Sequence, residues 1–375
     1  MLNERPFSSW RYVSLDDFDA QKQAQTDPES LLAGRGNLVL DEVQRAPGIL
    51  NAIKVAVDRG RAGHHFVLSG SANLMLMSKV TESLAGRALS ITLEPMTLGE
   101  QRRGRSPAIL GRLLQSRHPN EGTVKTQDPF PLMQKGFVPP LLTLSGEDSF
   151  VRWWEGYVAT YLERDLRQLS QVESLPDFRR VMVALALRTG QLVNQTDIAR
   201  DTGVSQPTVH RYLNLLETSC LLYRVPALTP SRRKRIVKSP KIYWFDPGIA
   251  TFLAGHYTAD DLRESREAGG VFECLVLLHL NALAQLMVPR PKIFYWRTTT
   301  GREVDFVVEQ GRKILPIEVK LTEKPRYRDV QNLRVFMDEY AGATLGVLVH
   351  SGSDVILLDK DIIAVPWTLL AGTLS

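Results

Sequence analysis

The chain has 375 residues, 43% of them hydrophobic, which is enough apolar side chain for two or three cores. Its 46 basic and 41 acidic residues leave a net charge of +5, too mild to establish a nucleic-acid partner by composition, so only local clustering can inform. Cys220 and Cys274 stand in apolar surroundings and read as buried thiols of a reducing cytoplasm; with no signal peptide, lipidation motif or run of membrane-spanning length, a cytoplasmic protein with no membrane partner is expected.

Residues 1 to about 100 alternate strand and helix patterns. Asn37 to Pro47, NLVLDEVQRAP, is an apolar run ending in Asp41 and Glu42, which fits a strand buried on both faces of a parallel sheet. Such a strand delivers its last residues to the carboxyl edge, where open α/β folds bind ligands. There Asp41 can hold a hydrated Mg²⁺ and Glu42 can polarise a water for attack on a γ-phosphate, although a strand ending on solvated acids looks the same in isolation. Ile49 to Arg59 has helical spacing, and Gly60 and Gly63 break it. A second strand, FVLSGSANLML from Phe66 to Leu76, runs into Ser69, Ser71 and Asn73, any of which can orient the same water. Ser78 to Gly86 predicts a helix and Ala88 to Leu93 an apolar strand.

From Arg102 to Pro140, Gly, Pro and polar residues scatter through short apolar runs, the composition of a flexible connection. Asp148 to Gln171 then predicts one long amphipathic helix, with Trp153, Trp154, Tyr157 and Tyr161 on its core stripe and Glu163 to Asp165 on its polar face.

Gln195 to Glu217 reads as a helix-turn-helix: Ile198 and Ala199 face inward, Gly203 permits the turn, Ser205 caps a second helix and Pro207 lies in its first turn. Val209, Leu213 and Leu216 face the core, which leaves Gln206, Thr208, His210 and Arg211 on the side that reads bases in such motifs. Leu221 to Val225 and Lys241 to Phe245 predict the strands of a wing. Between them Ser231 to Lys241 holds six cations in eleven residues and no acid, so Arg232, Arg233, Lys234 and Arg235 are candidates for a phosphate backbone; a solvated loop on a protein-packing module is the alternative.

The last domain begins near Gly269. Val271 to Met287 is an apolar helix carrying Glu273, and strands are predicted over Lys292 to Arg297, Glu303 to Glu309 and Ile314 to Lys320. Alternation puts Glu318 and Lys320 on one face, and Asp305 on the adjoining strand can meet them. With Glu273 these carboxylates can hold Mg²⁺ while Lys320 steadies developing charge in phosphodiester cleavage. A balanced ion-pair network is the structural alternative, yet IEVK is set among apolar residues, where unpaired charges are costly.

LDEVQRAP, LSGSANLML, ESLAGRALSITLEPMTLGE and YLERDL follow one another as they do in prokaryotic AAA-type ATPases of the archaeal-ATPase type with a C-terminal domain of unknown function, and the chain resembles that family. The resemblance implies that the Asp41 and Phe66 strands are the Walker B and sensor 1 strands, that Asp41, Glu42, Ser71 and Asn73 attend Mg²⁺ and ATP, and that Glu42 and Asn73 act in hydrolysis. It further implies that Arg87 can reach a phosphate and that Arg164 can be supplied to a neighbouring nucleotide, with a solvated Arg87 and an intrahelical ion pair at Arg164 as alternatives. RYVSLDDFD, Arg11 to Asp19, resembles the family's second strand, so its first strand, phosphate loop and first helix are expected before Met1; no G-x-x-x-x-G-K-[ST] occurs in the chain, which leaves a misplaced start or a lost nucleotide grip.

The Glu273, Asp305, Glu318 and Lys320 set resembles the PD-(D/E)xK nuclease site, with Val304-Asp305 in place of the leading Pro-Asp. The fold expected is α/β: a parallel-sheet AAA-type core without its N-terminal part over 1–100, a connection over 101–147, a helical and winged-helix domain over 148–260 and an α/β nuclease-like domain over 265–375. The function implied is ATP binding and hydrolysis coupled to winged-helix and nuclease-like modules. The alternatives are a DNA-binding or protein-interaction module that keeps the ATPase fold as scaffold, and a Mg²⁺-dependent nuclease. DNA, a second copy of the chain and a partner protein are the candidate partners.

Overall fold

The computed structural model describes residues 9–33, 36–59, 65–70, 84, 86–104, 108–160, 172–229 and 239–371. The chain divides into two compact units, Met1–Ile91 with Thr218–Cys220, and Thr92–Glu217 with Leu221–Ser375.

The first unit is a three-stranded parallel sheet in the order β1 (Arg11–Ser14), β2 (Leu38–Asp41), β3 (Phe66–Leu68). The central β2 is apolar on both faces because both are covered: Leu38, Val39 and Leu40 are buried, and Leu38 and Leu40 pack with Leu15, Leu32, Ile49, Leu50 and Ile53. Asp17 caps the helix Phe18–Thr26 through Ala20 N–H, and Asp27 caps Pro28–Leu32 with proline in its first turn. Helix Ile49–Asp58 leads from the end of β2 back toward the start of β3, as a connection between parallel strands must.

Of the strand expected from Phe66 to Leu76, β3 covers Phe66–Leu68, after which Ser69 N–H bonds Leu40 O at 2.8 Å and its carbonyl accepts from Val43 N–H at 3.1 Å, while 71–76 lie outside the described residues. One strand expectation needs correction in this region. Residues 88–93 form no strand: Leu89 and Ile91 are 87% and 73% exposed, and the alternating run finds no neighbouring ladder among the described residues. Most of the expected helix Ser78 to Gly86 lies outside the described residues.

The second unit is built on a seven-stranded mixed sheet. Its order is β4 (Gly122–Thr123), β11 (Asp354–Asp359), β12 (Ile362–Pro366), β10 (Gly346–His350), β9 (Lys313–Lys320), β8 (Glu303–Gln310), β7 (Lys292–Arg297). β7, β8 and β9 form an antiparallel meander, β10 runs parallel to β9 and β12, and β11 and β4 close one side antiparallel. The helix Ala268–Gln285 is apolar nearly all round because it lies inside this unit; 67% of it is buried within the protein, although by length and composition alone it would suit a bilayer.

Residues 101–147, expected as a flexible connection, carry packed elements. Besides β4 they hold the helices Ile109–Leu113 and Pro129–Lys135, and Thr123 joins the sheet beside Asp354. Their Gly and Pro residues are turn and cap chemistry: Asp128 caps the helix that opens on Pro129, and Gly136 ends it at φ 93° where a Cβ would lie 2.6 Å from Asp246 Oδ1. The long helix expected from Asp148 is described as Glu147–Tyr157 with a wider turn to Thr160, and 161–171 lie outside the described residues. Trp154 and Val158 of its apolar stripe are buried, and the Trp154 indole N–H donates to Lys135 O at 3.0 Å. Of the two cysteines Cys274 is buried, whereas Cys220 is only part-buried, since it occupies a left-handed turn (φ 57°) between the helix and the wing strand.

Candidate functional site

At the carboxyl edge of the first sheet, β2 ends on Asp41 and the chain turns sharply through Glu42 in the left-handed region (φ 56°). Backbone bonds hold that turn: Leu15 N–H donates to Asp41 O at 3.0 Å, and Val43 N–H to Ser69 O at 3.1 Å. Three parallel strands therefore bring Ser14, Asp41, Glu42 and Ser69 to one edge. Tyr12 Oη–H donates to Asp41 Oδ2 at 2.6 Å, while Gln44 donates to Glu42 Oε2. Burial pushes the Glu42 carboxyl above its ordinary pKa, and the Gln44 bond pulls part of that back. Two hard-oxygen carboxylates at a sheet edge suit Mg²⁺ with most of its water retained.

Ser71, Asn73 and Arg164 lie outside the described residues. Arg87 is not at this edge. It donates to Asp58 Oδ2 at 3.1 Å, and Asp58 ends the helix that has returned from the carboxyl edge, so the pair lies at the amino edge of the sheet.

In the second unit the helix-turn-helix is formed by Gln195–Thr202 and Gln206–Thr218, with Gly203 at φ 69° and Val204 buried under the turn. Ser205 Oγ accepts from Thr208 N–H at 3.4 Å, and Val209, Tyr212, Leu213 and Leu216 face inward. Gln206, His210 and Arg211 are exposed and Thr208 is half-buried. Arg211 bonds Glu173 at 3.2 Å and His210 bonds Asn214 at 3.0 Å, so two of the four expected base readers have protein partners. β5 (Leu222–Val225) and β6 (Lys241–Trp244) pair antiparallel as the hairpin. Arg232, Arg233, Lys234 and Arg235 lie outside the described residues.

The densest charge cluster lies where β6, β8, β9 and helix Ala268–Gln285 meet. It gathers the four sequence-derived residues and adds three others. Lys320 Nζ bonds Glu318 Oε1 at 2.8 Å, and Asp305 Oδ2 accepts from Val319 N–H at 3.0 Å. The first addition is Lys241, 1% exposed, whose Nζ meets Glu273 Oε2 at 3.3 Å, Glu303 Oε1 at 2.5 Å and Asp305 Oδ1 at 3.0 Å. The other two are Glu303 and Tyr243, whose hydroxyl donates to Glu273 Oε2 at 2.7 Å.

Burial opposes charge on Lys241, yet Asp305, Glu273 and Glu303 overcome it and hold its pKa above the ordinary lysine value. Burial and then the Asp305 charge push Glu273 and Glu318 well above the carboxylate range; Lys241 and Lys320, respectively, pull back. Glu318 is 3% exposed, and its Oε2 is without a hydrogen-bond partner among the described residues.

These carboxylates were expected to share a divalent cation. Among the described residues no group of three or more His, Cys, Asp or Glu side chains is arranged to hold a metal, and Lys241 stands among these carboxylates. Its ammonium occupies the oxygens that a metal would use, so as folded the residues do not fit Mg²⁺. In sequence Lys241 closes the basic run from Ser231, but it also opens the otherwise apolar run KIYWF, and that position is the sign of a buried lysine that needs carboxylates.

Residues 1–101 match a family described as an AAA domain, 128–260 a domain of unknown function, DUF8612, and 268–370 another, DUF4143. Uncharacterized proteins of Mycobacterium tuberculosis and Mycobacterium bovis are each 30% identical over 354 residues, covering 93% of this chain and 74% of their own length. An uncharacterized protein of Haemophilus influenzae is 22% identical over 347 residues, 89% of this chain and 78% of its own. No solved structure matches the chain.

Proposed function

We propose that the chain, which belongs to one family with its mycobacterial relatives and whose residues 1–101 match an AAA domain, is an ATPase-like protein whose nucleotide face is the carboxyl edge of the β1–β3 sheet. In this reading Asp41 is the Mg²⁺ ligand and Glu42 the group that takes a proton from the attacking water. The observation that carries it is the turn at Glu42, which sets both carboxylates beside Ser69 at the edge where parallel sheets bind ligands. Burial raises the Glu42 pKa and so makes it a stronger base than an exposed carboxylate, and Gln44 fixes its orientation. Mg²⁺, when bound, would neutralise charge on the β- and γ-phosphates. Asn73 would orient the water, and winged-helix and nuclease-like modules would follow the nucleotide state.

The backbone amides and lysine of a phosphate loop normally supply the grip on the β- and γ-phosphates, and G-x-x-x-x-G-K-[ST] does not occur in these 375 residues. The chain by itself is therefore expected to hold Mg·ATP weakly. Titration of the purified chain with a fluorescent ATP analogue and Mg²⁺ tests this; low-micromolar affinity abolished by Asp41→Asn would overturn it.

A second reading, work on DNA by the C-terminal unit, is favoured by the Ser205-capped helix with Gln206, His210 and Arg211 on its exposed side. Contact would be chiefly through phosphates. Affinity for a random duplex would then fall steeply with salt, and alanine at Arg232, Arg233, Lys234 and Arg235 together would flatten the slope. Equal slopes would leave the basic run a solvated loop.

A further inference from the structure

The geometry around Lys241 points to a cation seat that is already filled by the protein. An ammonium has three N–H donors, and here three carboxylates from two different elements accept them: Glu273 from the helix, Glu303 and Asp305 from β8. The remaining donors near these oxygens are spoken for in a definite pattern. Tyr243 holds Glu273, Val319 N–H holds Asp305 Oδ2, and Lys320 holds one oxygen of Glu318. The other oxygen of Glu318 is buried without a hydrogen-bond partner among the described residues, and the charges of Asp305 and Glu273 bear on it. A single positive charge on a tether thus bridges Glu273, Glu303 and Asp305, with Arg297 also meeting Glu303 at 3.5 Å, and it leaves Glu318 under-served.

We propose that Lys241 and a divalent metal are mutually exclusive occupants of the Glu273–Asp305–Glu318 cluster, with Lys241 as the resident cation that keeps metal out while the β5–β6 hairpin is seated. The proposal rests on the reading of these carboxylates as a cation site. Its physical basis is ligand competition. Mg²⁺ or Mn²⁺ held by Asp305 and Glu273 needs carboxylate oxygens at about 2.0–2.2 Å, and an ammonium already bonded to Asp305 Oδ1 and Glu273 Oε2 takes one oxygen of each and repels a second cation that close. Withdrawal of Lys241 frees those oxygens and turns the unpartnered Glu318 oxygen into a ligand. Because Lys241 lies on β6, the position of the wing hairpin and the metal occupancy of the cluster are one equilibrium seen from two sides.

The test is Mn²⁺ titration by calorimetry on the full chain, wild type against Lys241→Met, which keeps length and removes the donors. The expected result is at least tenfold tighter binding of one Mn²⁺ by Lys241→Met, abolished when Asp305→Asn is added. Equal affinity in wild type and Lys241→Met overturns the proposal but leaves the cation site standing. Binding by neither overturns both. Should Lys241→Met fail to fold without metal, Glu303→Gln supplies the answer, because it removes one acceptor of the lysine and none of the three proposed ligands. It should raise Mn²⁺ affinity over wild type, and unchanged or weaker affinity overturns the proposal.

Discussion

Asp246 offers a pH experiment whose sign and size follow from its surroundings. It caps the helix Pro247–Leu253 with Oδ1 accepting from Gly248 N–H at 2.7 Å and Oδ2 from Phe137 N–H at 2.7 Å, and it is fully buried. Burial outweighs those bonds and raises its pKa from the ordinary 3.8 to about 7. An acid whose pKa is raised by folding stabilises the fold fully below its unfolded pKa, and that contribution is lost as the pH rises through the folded pKa. Between pH 5 and pH 7.5 the wild type should therefore lose ~2–3 kcal/mol of stability from this group alone. Glu273 and Glu318 act with the same sign, so the informative quantity is the difference from Asp246→Asn, which cannot ionise and in which the other groups cancel. The variant starts lower, because an amide N–H₂ facing either Phe137 N–H or Gly248 N–H costs about 1–3 kcal/mol, but its profile should be flatter by the amount given. Urea unfolding followed by tryptophan fluorescence reads the transition, and one of the six tryptophans, Trp154, is near the site, since Gly136 stands between Asp246 and its ring. Parallel profiles for the two proteins across this range would refute the reasoning.

Gly270→Ala should destabilise the second unit by several kcal/mol, since its Cβ would fall 2.1 Å from Thr189 O and the backbone on both sides would have to part; an unchanged melting temperature would contradict the close approach. Ile198→Ala, at a fully buried position under the helix-turn-helix, should cost about 2–4 kcal/mol in chemical denaturation, and a cost under ~1 kcal/mol would mean that this face is not core. Tyr12→Phe should leave the fold intact and free Asp41 Oδ2, tightening Mg²⁺-dependent nucleotide binding if Asp41 is the metal ligand; weaker binding would assign the hydroxyl to the nucleotide instead.

Local pattern by itself determined the elements whose faces are set by neighbours in sequence. The apolar run before Asp41 became the doubly covered β2, and the Gly203 turn and Ser205 cap gave two helices within a residue or so of their expected ends. The strands over 292–297, 303–310 and 313–320 appeared where alternation put them, with Glu318 and Lys320 meeting on one side. In each case side-chain period and turn chemistry act over a few residues, so the sequence carries them directly. Tertiary structure decided the rest. Thr123 became a sheet residue because it pairs antiparallel with Asp354, 231 positions away, which also accepts its hydroxyl; the same glycines and prolines read locally as a loose connection. Residues 88–93 have a strand's alternation but no ladder to join, and an unpaired strand has no hydrogen-bonded partner to hold it. Lys241 reads in sequence as the last cation of a basic run, yet its partners are 32 and 64 residues away. Whether a charge is solvated, paired or seated in place of a metal depends on what surrounds it after folding, and a cation's character in this chain was set by desolvation and by carboxylates contributed from the far side of the fold.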